Sequence, residues 1–147
     1  MAGRFGSVTV EVSAAAATAK TAIQLIAAAN HAVRILGFDI SPAGTTNTDA
    51  PIAVQIERQT TAGTVTAGTM VKMDDSVADT LDTTAGVDAT SEPTTGDVIM
   101  KTRIHPQTYK QIFFTNPELI IGASDRVGIV LTAAVTVTVA VTVFFEE

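Results

Sequence analysis

The chain has 147 residues, which is enough for one domain to bury a core of its own without disulfide or metal staples. It contains no Cys, which excludes thiol nucleophiles, thiolate zinc sites and disulfides. Its formal charge of −6, with nine scattered Lys and Arg, disfavours a phosphate-neutralising nucleic-acid surface.

Residue usage points to strands. There are 24 Thr and 17 Val, no Trp and one Tyr, and β-branched side chains suit a pleated surface better than a helix. No apolar run approaches the length of a membrane helix. The first twelve residues have no apolar core of the signal-peptide kind, so a soluble chain without a visible export route is expected.

In chain order, residues 1–6 read as a short arm, with Arg4-Phe5 between Gly3 and Gly6. Ser7 to Val12 alternates, with Val8, Val10 and Val12 on one parity, which predicts a strand. Ser13 to Asn30 is rich in Ala, a helix former, yet develops no polar helix face. The spacing favours an extended piece over 21–27 and a turn over 28–31. Residues 32–40 predict a strand apolar on both faces, with Leu36, Phe38 and Ile40 on one side and Val33 and Ile35 on the other. Residues 41–50 read as a loop from their Pro, Gly, Asn and Asp content. Ile52, Val54 and Ile56 then point inward, with Gln55, Glu57 and Gln59 outward. A doubled TAGT at 61–64 and 66–69 predicts a hairpin tip or flexible edge, followed by a brief strand over 70–73.

Residues 74–97 carry seven of the 15 acidic side chains and no basic one. This composition predicts a long acidic surface loop, with one helical turn near 77–81. Further strands are expected over 98–105, 109–115, 118–121 and 127–131, with turns at Asn116-Pro117 and 122–125. The clearest signal is Ala134 to Phe145, AVTVTVAVTVFF. Val135, Val137, Val139, Val141 and Val143 alternate with Thr136, Thr138, Ala140 and Thr142, as a strand with a core-facing valine side requires. The short link before it predicts that the last two strands pair antiparallel. The whole reads as all-β: a single-domain antiparallel β-sandwich of jelly-roll type over residues 7–147, with about eight to ten strands.

No constellation of catalytic residues stands out, and an enzyme is not expected. His31 and His105 sit in ANHAV and RIHPQ, without a G-x-S-x-G elbow, and read as surface residues. Asp74, Asp75, Asp79 and Asp82 do not follow the spacing of a calcium loop. Neither phosphate-cradling glycine motif occurs. No catalytic residue, metal or cofactor is therefore assigned. Lys101 and Arg103 share one strand face and could dock an acidic surface, or simply line an exposed rim. Phe144-Phe145-Glu146-Glu147 places two aromatics where they need cover. The interface candidates are Arg4, Phe5, Lys101, Arg103, Thr136, Thr138 and Phe145, the threonines as a hydroxyl face that sister copies could cover.

Several stretches carry a likeness: TAKTAIQLI at 18–26, Arg58 to Thr64, Glu92 to Asp97, His105-Pro106 and Phe144 to Glu147. From about residue 18 onward the chain resembles the jelly-roll capsid decoration, or cement, proteins of tailed phages. That resemblance implies a structural virion protein on the capsid exterior, made in the host cytoplasm. It also implies a major capsid protein as partner, a homo-oligomer with a trimer favoured, and no nucleic-acid or membrane partner. A tail or baseplate component, and a jelly-roll carbohydrate-binding module, are the alternative readings; the shortage of aromatics weakens the second.

Overall fold

The structure, a computed structural model, describes residues 3–43, 50–76 and 78–147. These residues form β1 (Phe5–Ala14), β2 (Ala19–Ile26), β3 (Val33–Pro42), β4 (Ile52–Gln59), β5 (Thr64–Ala67) and β6 (Met70–Lys72). They continue with β7 (Thr84–Ser91), β8 (Thr95–Ile104), β9 (Lys110–Phe113), β10 (Leu119–Ile121), β11 (Arg126–Thr132) and β12 (Val137–Glu146). One sheet runs β10-β3-β12-β1-β6, with β9 also paired to β3; the other runs β5-β7-β2-β11-β4-β8.

Within this order lies a jelly roll. Strands β1, β12, β3 and the β9/β10 pair make one four-strand layer, and β2, β11, β4 and β8 make the other. The segment between β4 and β8 is an insertion that adds β5, β6 and β7. These widen both sheets on the side away from β8, with β7 on β2 and β6 on β1.

The two inner faces supply the core. Val139, Val141, Val143 and Phe145 of β12 line up with Val8 and Val12 of β1 and with Ile35, Phe38 and Ile40 of β3. They meet Ile23 and Leu25 of β2, Ile52, Val54 and Ile56 of β4, and Val127, Ile129 and Leu131 of β11. Each of the larger side chains contributes about 1.5–3 kcal/mol by leaving water.

Several expectations are corrected. The last two strands do not pair: β11 lies between β2 and β4, and β12 between β1 and β3. Residues 133–136 carry the chain from one sheet to the other, so the valine side of β12 meets β11 across the core rather than along an edge. Val135 falls in that link and is exposed, so the buried valine row starts at Val139.

In β3 the expected double-sided pattern is one face interrupted by a bulge. Phe144 opposes Gly37 while Phe145 opposes Ile35, which leaves Leu36 as the extra residue. Val33, Ile35, Phe38 and Ile40 consequently all face inward.

The 74–97 stretch is not a continuous loop. Ala85, Val87 and Ala89 alternate into the interior and make β7, and β8 begins at Thr95. Their small size and the surrounding carboxylates mask a period-two pattern. Of the expected helical turn, Val77 lies outside the described residues and 78–81 are not helical. The arm is shorter than residues 1–6, because β1 already starts at Phe5 and pairs with Glu146. The 41–50 loop falls mostly outside the described residues, at 44–49.

Candidate functional site

Cross-strand register places side chains in rows on the outer face of the β1-containing sheet. One row runs Val71, Ser7, Phe144, Gly37, Phe113. The next runs Thr9, Thr142, Asp39, Gln111, followed by Glu11, Ala140, Ser41. At one end, Phe5, Leu36, Met73, Phe113 and Phe144 line a shallow, open and mostly apolar groove, with Asp74 and Gln111 as its polar members. Phe113 is 60% exposed, Met73 57% and Phe5 37%, an unusual concentration of bare hydrophobic side chains on one sheet end. Gly37 makes the groove possible, because a Cβ there would lie 2.7 Å from Phe113 Cδ1 and 2.4 Å from the Ile112 carbonyl. The bulge brings Leu36 outward to the same place. The main-chain N–H of Met73 donates to the Phe5 carbonyl (2.9 Å), so the rim is tied to β1.

The sequence candidates separate. Phe5 lies on this groove. Phe145 does not: it is completely buried, because it continues the inward parity of Val139, Val141 and Val143 along β12, while Phe144 stays outside. Thr138 is half-buried on the outer face opposite Ser13. Thr136 precedes β12, and its Oγ1 accepts the Ala16 N–H at 3.2 Å, which stabilises the link between sheets. Lys101 and Arg103 are exposed on β8, a sheet edge, opposite Gln55 and Ala53. Neither has an ion pair among the described residues, and charges of this kind discourage edge-to-edge pairing. Arg4 is half-buried at the surface and engaged in ion pairs rather than free, as the second of two polar clusters shows.

Both polar clusters were illegible in the sequence. Glu57 and Gln59 point to the outer face of the second sheet as expected, yet they are buried there, because residues 60–64 and 91–95 cross over them. Gln24 Nε2 donates to Gln59 Oε1 (2.7 Å) and to the Thr61 carbonyl (2.9 Å). Gln59 Nε2 donates to Thr21 Oγ1 (3.1 Å), and Thr95 Oγ1 to Glu57 (2.9 Å). Glu92 closes the crossover by accepting the Thr21 N–H (2.8 Å). Gly128 leaves room for this, since a Cβ there would sit 2.3 Å from Gln59.

The second cluster gathers Arg4, His31, Asp82 and Glu147. Arg4 Nη2 lies 2.8 Å from Asp82 Oδ2 and 3.1 Å from Glu147 Oε1. His31 Nε2 lies 3.4 Å from Glu147 Oε2. Burial pushes the Glu147 carboxyl upward, but hydrogen bonds from Thr83, Asp82 and His31 outweigh it and hold it below the usual range. His31, Asp82 and Glu147 have three ligand-type atoms within 4.8 Å of one another. Arg4 already bridges both carboxylates, so the position a cation would fill is taken by a guanidinium. His105 stands apart at the end of β8, its Nδ1 accepting the Gln107 N–H (3.2 Å).

No helix among the described residues is long and apolar enough to cross a membrane. Comparison with protein-family models, with curated proteins and with solved structures finds no match.

Proposed function

We propose that this chain is a structural virion protein that decorates and stabilises a tailed-phage capsid from outside, binding the major capsid protein. The observation that carries the reading is the apolar groove of Phe5, Leu36, Met73, Phe113 and Phe144 on the outside of a jelly-roll sheet. Adhesion of this kind needs a stiff platform rather than an active site. Here the platform is five laddered strands whose inner face is sealed by the core. Aromatic and Met side chains are the types that anchor protein interfaces, and hydroxyl-rich rows beside them fit a polar rim. Self-association into a trimer would add avidity, because each further contact is made at high effective concentration.

The test is co-sedimentation of the purified protein with capsids stripped of it. Phe113→Ser with Phe144→Ser should abolish binding while the circular dichroism and melting of the free protein change little. Parent and variant sedimenting equally would overturn the assignment of this face.

A further inference from the structure

Residues 78–83 cross from the β6 edge of one sheet to β7 in the other. Among the described residues this segment joins no strand and makes no main-chain-to-main-chain hydrogen bond. Side chains from elsewhere hold it instead. Lys72 Nζ donates to the Asp79 carbonyl (3.1 Å), and Arg4 donates to the Thr80 carbonyl as well as to Asp82. Glu147 accepts the Asp82 N–H at Oε1 (2.8 Å) and the Thr83 N–H at Oε2 (2.7 Å). Leu81 is the apolar anchor, packed on the core beside Gly6, where the ring of Phe145 also lies.

We propose that residues 78–83 are a releasable strap and that the Glu147 side chain is its latch. With the carboxylate present the strap covers the Phe145 end of the core. Without it the strap lifts while the twelve-strand sandwich stays folded. The contrast in attachment carries the inference. The strands are held by ladders and a continuous core, whereas the strap depends on three charged side chains, Leu81 and the buried Thr83, the pattern of a low-stability local unit. Glu147 gathers two of its N–H groups and also pairs with Arg4, which holds the Thr80 carbonyl, so its carboxylate sits at the centre of the strap's attachments.

The groups facing Glu147 are Arg4 from the start of β1, His31 from the β2–β3 turn, and Asp82 from the strap. Asp79 acts on Arg4 from the strap as well, and on β12 itself Glu146 is engaged by Arg34. Glu147 titrates below the usual carboxylate range, so the latch is shut at neutral pH and opens as the pH falls through that value. The strap stands independently of the capsid reading.

Hydrogen exchange on the full chain tests it. In Glu147→Ala at pH 7, the amides of Asp82 and Thr83 should exchange at least ~10-fold faster, with β2 and β11 unchanged. The unmutated protein taken from pH 7 to acid, after correction for intrinsic exchange, should show the same selective loss. Two results would overturn the proposal. One is strap amides that stay as slow as before in both experiments. The other is strap and core amides accelerating together, which would make the segment an integral part of the fold.

Discussion

Replacing Phe145 by Ala measures how the alternation of β12 divides the two terminal aromatics between core and surface. Phe145 is fully buried, opposite Gly6 on one side and Ile35 on the other. A Cβ placed on Gly6 would come within 2.4 Å of Phe145 Cζ, so the ring fills the space that glycine leaves. Truncating a ring in such a place costs about 3–5 kcal/mol, because the transfer free energy is lost and a cavity remains. Leu81, next to the same gap, can move partly into it, which sets the expectation toward the lower end, near 3 kcal/mol. For a domain of this size that corresponds to a fall in Tm of roughly 6–12 °C. The assay is urea unfolding at pH 7 with the m-value compared between variant and parent, so that a change in the unfolded state is recognised. Phe144→Ala is the internal control and should stay within about 1 kcal/mol, since its ring is on the outer face. Equal effects for the two substitutions, or a loss below about 1 kcal/mol for Phe145→Ala, would refute the assignment of Phe145 to the core.

Gln59→Ala should cost about 1–3 kcal/mol in the same unfolding assay, because it removes one buried hydrogen bond each from Gln24, Thr21 and Glu57. Glu147→Gln should lower stability at pH 7. Its folded-state pKa lies below the unfolded value, so its contribution is complete above that value and disappears as the pH falls; parent and variant should therefore converge in acid unfolding curves. Lys101→Glu with Arg103→Glu should leave monomer stability within about 0.5 kcal/mol. If these side chains dock an acidic neighbour, the pair should reduce assembly in sedimentation velocity and remove its salt dependence; unchanged assembly rejects that role.

The β-class and most strands could be read directly because alternation of β-branched residues is a local property. The rows of β4, β11 and β12 needed only a parity count. What escaped was non-local. The parity switch in β3 depends on Leu36 being extra relative to β12, which no single strand reveals. Strand β7 escaped because Ala85, Val87 and Ala89 are small and stand among carboxylates that a solvated loop would also carry. The link after β11 is short enough for a hairpin, and only the sheet partners on both sides show that it bridges the sandwich. Glu57 and Gln59 follow the outward parity correctly, yet the crossover of residues 60–64 and 91–95 covers them. Of the candidate site, Phe5 was visible as an aromatic between glycines. Leu36, Met73, Phe113 and Phe144 converge on it only through register and the bulge.

The most direct test of the capsid reading is a density map of the purified particle at a resolution that shows side chains. The account predicts this chain on the outer surface of the shell, with Phe5, Phe113 and Phe144 buried against the major capsid protein. Particles that lack the chain, or that carry it with this groove facing solvent, would contradict it.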